Sequence, residues 1–354
     1  MPAAAKRTRP RSRRVRLAGR LEPSPLPDAP VPMLATLAAE PFDHPDWVFE
    51  PKYDGLRVLI RFDGEELTLI SRNGKTQNFQ FPEVHEALRR SLRRPAVLDG
   101  EVVCFDEQGK TSFRAIQQRF HLLNETEVRE RAKRYPAYIY VFDILYYDRF
   151  AVTRLPLSER KAILAVAVRW SDVVRQTPYK RGKGIAELKS ACRRGEEGIL
   201  AKDWNAPYVP GRGAAWVKVK CVGRQEFVIG GFTDPQRSRV GIGALLVGYY
   251  DDMGRFTFAG KVGTGYTREI LLDLRQRLGQ IETRQNPFAV GDPPHGTSVH
   301  WVQPRHVAEI GFAEWTQNGL LRQPRFVGLR TDKHPREIRR ERPLVSAEKL
   351  TEKG

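Results

Sequence analysis

Cysteine is scarce in this 354-residue chain: Cys104, Cys192 and Cys221 stand far apart with no C-x-x-C spacing. That pattern supports neither a zinc ribbon nor a disulfide framework, and reduced thiols in a cytosol are the expectation. Histidine is sparse too, with seven scattered residues in no metal-ligand spacing, so His85, His121, His295, His300 and His306 read as ordinary surface or core residues. No uncharged apolar run reaches the roughly 18 residues of a membrane span, and the Arg-rich N-terminus lacks the apolar stretch of a secretory signal. A G-x-x-x-x-G-K-[ST] phosphate loop, H-E-x-x-H and G-x-S-x-G are all missing, which removes the common nucleotide-loop, metalloprotease and serine-hydrolase readings.

Acid is also in deficit: 60 Lys+Arg against 42 Asp+Glu leave +18. A surplus of this size points to a polyanionic partner, because each phosphate neutralised by Lys or Arg releases condensed counterions. The bland alternative is a basic surface kept for solubility.

The imbalance starts at once, with Lys6, Arg7, Arg9, Arg11, Arg13, Arg14, Arg16 and Arg20 and no acid in the first 20 residues, then Pro-rich sequence from Pro23 to Pro32. Residues 1–30 are therefore expected to be a flexible basic tail. Length suggests two domains. Residues 31–221 mix strands with amphipathic helices and read as α+β. Trp47–Phe49 and Leu56–Phe62 flank a tight Asp54-Gly55 turn, and Leu67–Ser71, Val97–Phe105, Tyr138–Leu145, Ile199–Lys202 and Trp216–Val219 are further strands. Helices are expected at Pro82–Leu92, at Ser158–Val168 with Ser158 as N-cap, and at Ile185–Arg194. Residues 222–340 carry Gly-punctuated short strands (Gln225–Phe232, Ala244–Tyr250, Arg255–Val262, Val299–Val302, His306–Phe312, Phe326–Leu329) and one helix, Thr267–Leu278. Ile270, Leu271, Leu274 and Leu278 give that helix one apolar face. A small β-barrel of the OB type suits that pattern, and 341–354 reads as a C-terminal tail.

The sharpest local signal is Glu50-Pro51-Lys52-Tyr53-Asp54-Gly55-Leu56-Arg57. It reads either as an Asp-Gly hairpin with an exposed lysine or as a lysine whose pKa nearby cations depress until it is a neutral amine nucleophile. Downstream come Asp99-Gly100-Glu101 closing a strand, Glu196-Glu197-Gly198 opening another, and Trp216-Val217-Lys218-Val219-Lys220. Period-two alternation sets Lys218 and Lys220 on one face, suited to an anion, with Val217 and Val219 on the other.

These segments, in this order and at these separations from Met33 to Lys333, resemble the covalent nucleotidyltransferase superfamily of ATP-dependent DNA ligases and mRNA capping enzymes. The resemblance implies that Lys52 carries AMP. It implies that Arg72 and Asn73 of Ser71-Arg72-Asn73-Gly74-Lys75 form the next motif, that Asp99-Gly100-Glu101 is the third, and that Phe142 stacks on the base. Glu197-Gly198 and Lys218/Lys220 look like the fourth and fifth motifs, and Arg330-Thr331-Asp332-Lys333 closes the last. Pro32-Met33-Leu34-Ala35, Gly260-Lys261-Val262-Gly263-Thr264-Gly265 and the G-L-R-T-D-K ending resemble the ligase modules of bacterial non-homologous end joining.

What the resemblance implies for the site is an ATP-dependent enzyme. Glu101 and Glu197 would hold Mg²⁺ (or Mn²⁺), Lys218 and Lys220 would neutralise the α-phosphate, and Glu50 would accept from the adenine amine. Arg57 would lie near ribose, Arg330, Asp332 and Lys333 would orient pyrophosphate, and Arg72 and Arg325 would grip DNA. A hinge at Cys221–Arg224, with Gly223 absorbing the change, would let the barrel close and open. Nicked or broken duplex DNA is the expected partner of a monomer in the bacterial cytosol, with a Ku-like end-binding protein as a further partner. The alternatives are an RNA ligase or capping enzyme and, from another class, a non-catalytic nucleic-acid-binding protein.

Overall fold

The computed structural model of the chain describes residues 21–341, apart from 39, 121, 222, 237 and 238. The chain runs through β1 (Met33–Leu37), β2 (Trp47–Pro51), β3 (Leu56–Phe62), β4 (Leu67–Ser71), α1 (Pro82–Ser91), β5 (Ala96–Cys104), α2 (Phe113–Gln117) and α3 (Glu125–Arg134). It continues through β6 (Ala137–Tyr147), β7 (Phe150–Ala151), α4 (Leu157–Ala167), β8 (Val174–Gln176), β9 (Lys180–Arg181), α5 (Gly184–Arg193), β10 (Gly198–Asp203) and β11 (Gly211–Lys220). Beyond lie β12 (Gly223–Thr233), β13 (Leu245–Tyr250), β14 (Phe256–Val262), α6 (Arg268–Gly279), β15 (Glu282–Thr283), β16 (Val299–Val302), β17 (Val307–Phe312) and β18 (Arg325–Arg330).

These strands make three sheets: β1-β11-β10-β2-β9, then β4-β3-β5-β6-β7 with β8 on β6, then β14-β13-β12-β16-β15 with β17 on β12 and β18 on β17. Pairing is antiparallel except for β1 with β11 and β6 with β8. In β3 the alternate residues Leu56, Val58, Ile60 and Phe62 are buried against Val84 and Leu88 of α1, as period two on a strand and period four on a helix require. The first two sheets meet face to face over Met33, Leu59, Val97, Phe142, Tyr208 and Trp216. The third sheet curls as the OB expectation requires: Thr264 after β14 bridges to Arg325 of β18, and Leu321 donates to the Ala259 carbonyl at 2.8 Å. Helix α6 lays Leu271, Leu274 and Leu278 on its core, and Thr267 caps the helix by accepting from the Ile270 N–H.

Several expectations are corrected. Lys52–Gly55 is no hairpin turn, because β2 and β3 belong to different sheets and the segment crosses between them. Gly55 is required there by proximity: a Cβ would lie 2.3 Å from the Val102 carbonyl oxygen. Asp99-Gly100-Glu101 lies inside β5 rather than closing it. Helix α4 starts at Leu157 with Pro156 at the N-cap, so Ser158 is already helical. Residues 21–30 do not behave as a tail: Ser24 donates its N–H to the Arg149 carbonyl and Pro23 bridges to Phe150, while residues 1–20 lie outside the described residues. At Glu341 the expected C-terminal tail is corrected too, since its carboxylate is seated between Lys218 and Lys220; residues 342–354 lie outside the described residues, as does His121. Finally, Cys192 and Cys221 form a disulfide, since the end of α5 packs beside the end of β11 and sets their Cα atoms 5.3 Å apart. A separation of 29 residues carried no sign of that pairing.

Candidate active site

A cavity of about 680 Å³ opens between the first two sheets and the third. Its floor is Glu50, Phe142 and Trp216, and its walls carry Lys52, Glu101, Glu197, Lys218 and Lys220 on one side and Glu309, Arg330, Asp332 and Lys333 on the other.

Lys52 leaves β2 with its N–H donated to the Gly198 carbonyl (3.0 Å), and its Nζ lies 2.5 Å from Glu197 Oε2. Glu197 is aimed by its successor: Gly198 has φ +150°, and a Cβ there would stand 2.1 Å from the Val219 carbonyl oxygen. Burial pulls the Lys52 ammonium down, yet Glu197 outweighs it and holds the pKa above the usual lysine range. The expectation of a depressed Lys52 pKa is thus reversed, because the dominant neighbour is a buried anion rather than a cation. Burial pushes Glu101 up to about 8 and Asp54 up to about 7.

The floor is held by ion pairs from behind. Arg57 forks onto Asp99 (2.9 and 2.6 Å), and the Tyr208 hydroxyl donates to the same carboxylate at 2.7 Å. The guanidinium lies over the rings of Phe142 and Trp216, at 5.5 and 5.4 Å from their centroids. The Glu50 carboxylate is clamped between Lys161 of α4 and Lys202 of β10, the latter at 2.6 Å. Lys202 is fully buried, 4.2 Å from the Phe142 ring centroid and 3.9 Å from that of Trp216, and burial lowers its pKa to about 8.

On the walls, β11 alternates as expected, with Val217 and Val219 in a core and Lys218 and Lys220 on the cavity, both paired to Glu341. Arg330 forks onto Asp332 (2.9 Å twice), reaches Glu309 at 3.0 Å and covers the Phe113 ring at 3.9 Å. Lys333 pairs with Glu226 at 3.2 Å. Arg72 also lines the cavity, 3.8 Å from Glu337, and Asn73 donates to the Asp332 carbonyl at 2.6 Å.

The fold therefore gathers Glu50, Lys52, Arg57, Arg72, Glu101, Phe142, Glu197, Lys218, Lys220, Arg330, Asp332 and Lys333 around one cavity. Arg325 stands apart, exposed at the start of β18. Sequence reasoning missed Lys161, Lys202, Glu309 and Glu341. For Lys202 the signal was present in Glu197-Gly198-Ile199-Leu200-Ala201-Lys202, a charge closing an otherwise apolar strand; the other three had none.

The family model for the ATP dependent DNA ligase domain matches residues 32–220, more than half of the chain, and that for the ATP dependent DNA ligase C terminal region matches 238–333. The chain belongs to the ATP-dependent DNA ligase family. It is 36% identical over 328 residues to the multifunctional non-homologous end joining protein LigD of Pseudomonas aeruginosa, covering 90% of this chain and 38% of that protein. It is 32% identical to a DNA ligase of Thermococcus fumicolans, over 86% of this chain and 56% of that one. Among solved structures, mycobacterial DNA ligase D complexed with ATP and MES matches at 33% identity and TM-score 0.62, covering 88% of this chain and 98% of that one. The chain thus spans well under half the length of the curated LigD relative.

Proposed function

We propose that the protein seals 3′-hydroxyl/5′-phosphate breaks in duplex DNA with ATP, through a lysine–AMP intermediate, and serves non-homologous end joining in the cytosol. The observation that carries the reading is Lys52, hydrogen-bonded to Glu197 in a cavity whose walls supply Lys218, Lys220, Arg330 and Lys333. Phosphoryl transfer needs little beyond an aligned nucleophile and fixed positive charge around the phosphates.

In the proposed first transfer Lys52 Nζ, once deprotonated, forms a bond to the α-phosphorus while the bond to pyrophosphate breaks. Lys218 and Lys220 neutralise the α-phosphate oxygens, and Arg330, Asp332 and Lys333 orient the leaving pyrophosphate. Adenine lies on the Phe142 floor, with Glu50 accepting from its amine and Arg57 beside the ribose. AMP then passes to the 5′-phosphate of the break, and the 3′-hydroxyl displaces it. Arg72 and Arg325 contact the DNA, 222–340 moves against 31–221 about Cys221–Arg224, and the enzyme works as a monomer with a Ku-like recruiter.

Glu101 and Glu197 fit a divalent cation as hard carboxylate donors, and burial raises the Glu101 pKa, a penalty on its charged form that a bound cation would offset. Among the described residues no three His, Cys, Asp or Glu stand close enough to hold a metal by themselves, so a cation here would take its remaining ligands from water and phosphate. Bound there, Mg²⁺ or Mn²⁺ would supply Lewis-acid neutralisation of the α-phosphate.

The test is incubation with Mg²⁺ and α-labelled ATP, GTP or NAD⁺, denaturing electrophoresis, then addition of nicked DNA. Label from ATP alone, discharged as the nick closes and missing from Lys52→Ala, is the expected result. Label from GTP, or discharge on RNA only, would move the protein to the capping or RNA-ligase branch.

A further inference from the structure

Glu341 is the last described residue, and its carboxylate does what a phosphate would do. Oε1 accepts from Lys218 Nζ and Oε2 from Lys220 Nζ at 3.0 Å, so one anion spans both ammonium groups on the cavity face of β11. The seat is built rather than accidental. The Glu341 N–H donates to Gln225 Oε1 at 3.0 Å, Gln225 Nε2 donates to the Arg339 carbonyl at 3.0 Å, and Gln225 is 2% exposed. Three residues earlier Ile338 is buried in the third sheet's core and accepts from the Tyr250 N–H at 2.9 Å. Residues 338–341 therefore cross from the third sheet to the wall of the first, and the carboxylate is the end that reaches the lysines. Burial raises the Glu341 carboxyl, but Lys218 and Lys220 outweigh it and keep the group ionised.

We infer that Glu341 is an internal phosphate surrogate: its carboxylate occupies the Lys218–Lys220 anion site, and a nucleotide phosphate binds by displacing it. This rests on the reading that those lysines take phosphate. The physical case is competition by a tethered group. A carboxylate on a short strap is present at an effective concentration in the millimolar range, and a site free only part of the time binds its ligand more weakly by that fraction. The strap also leaves the two cations paired when the cavity is empty of nucleotide, which avoids an uncompensated buried double charge. Since its anchor lies on the third sheet, displacing the carboxylate also removes one tie between the two walls of the cavity. Nucleotide entry and release of that contact are therefore one event.

The test compares the full chain with Glu341→Gln and Glu341→Asp, using AMP and metal-free ATP as calorimetric probes and lysine–AMP formation against ATP concentration. Glu341→Gln, which keeps the shape and loses the charge, is expected to bind both probes about tenfold more tightly and to reach half-maximal adduct formation at correspondingly lower ATP. Glu341→Asp should fall between the two. Unchanged or weaker probe binding in Glu341→Gln overturns the inference. Lys218→Met and Lys220→Met separate the two levels. If they leave AMP and metal-free ATP binding unchanged, the α-phosphate reading of the lysines has failed; if they weaken it while Glu341→Gln changes nothing, only the surrogate has failed. Should Glu341→Gln not fold, Gln225→Leu, which releases the strap and keeps the carboxylate, is expected to tighten probe binding, and its failure to do so counts against the inference equally.

Discussion

At and behind the cavity floor the first two sheets and α4 hold Glu50, Asp99, Asp143, Arg160, Lys161 and Lys202, each 3% exposed or less, whereas the core of the third sheet is apolar and its buried charged residue among those described, Glu309, faces the cavity. The contrast separates two ways of holding a site. On the side of the first two sheets, charges are fixed from behind by other charges. Arg160, for instance, forks onto Asp143 at 2.8 and 3.0 Å and also donates to the Ala206 carbonyl. On the opposite side a hydrophobic scaffold carries its working charges at the rim, as Arg330, Asp332 and Lys333 do. Buried ion pairs add little net stability because desolvation offsets attraction; what they give here is direction, holding Glu50 and Arg57 in one geometry.

Breaking one buried pair should have the largest effect. Asp143→Ala leaves Arg160 charged and unpaired, and a loss of about 3–5 kcal/mol in urea unfolding is expected. Joint replacement as Asp143→Leu with Arg160→Met should recover most of it, which a loss of packing alone would not allow. On the scaffold side Leu274→Ala in α6 should lose about 3 kcal/mol, with no rescue by any charge change. Lys202→Met sharpens the contrast, since it removes a buried cation yet leaves Lys161 on Glu50. Stability at pH 7 should rise by about 1 kcal/mol while preference for ATP over GTP in adduct formation falls. The ammonium loses its proton near pH 8 in the folded chain and near the usual 10.5 when unfolded. The wild-type deficit against the variant is therefore full below pH 8 and closes as pH rises toward 10.5. The smallest effect is expected of Arg325→Ala at the exposed rim: unchanged stability, weaker DNA binding at all sequences, and a salt dependence shallower by about one counterion.

Much of this architecture was readable from residues alone, and the exceptions have physical causes. Apart from the two-residue β15, strands β12 to β18 and helix α6 follow local apolar periods, and the face of β11 that bears Lys218 and Lys220 follows from period two. Helix α3 was missed because only Val128 of its ten residues is buried, which leaves no apolar stripe; its one local sign was Asn124, whose side chain accepts from the Glu127 N–H as an N-cap. Helix α2 is five residues long, too short for a period to repeat. The charge state of Lys52 was misjudged because it is set by Glu197, 145 positions away, and no local window contains both. The clamp on Glu50 is equally non-local, drawing Lys161 from a helix and Lys202 from a neighbouring strand. Local pattern told that Lys218 and Lys220 share a face, and the family resemblance told which other residues to expect beside them; the electrostatics of the cavity came from the crossing of distant segments.

The Cys192–Cys221 bond closes the intervening chain into a covalent ring. That ring contains all of β10 and β11, and with them Glu197, Lys202, Trp216, Lys218 and Lys220. A protease cut anywhere inside it, for example in the 204–210 connection, would separate Lys52 from Lys218 by sequence without separating them by mass. The nicked chain would run as one species until a reductant is added and as two afterwards. Glu197, Lys218 and Lys220 are thus laced into a closed loop that can survive a broken backbone.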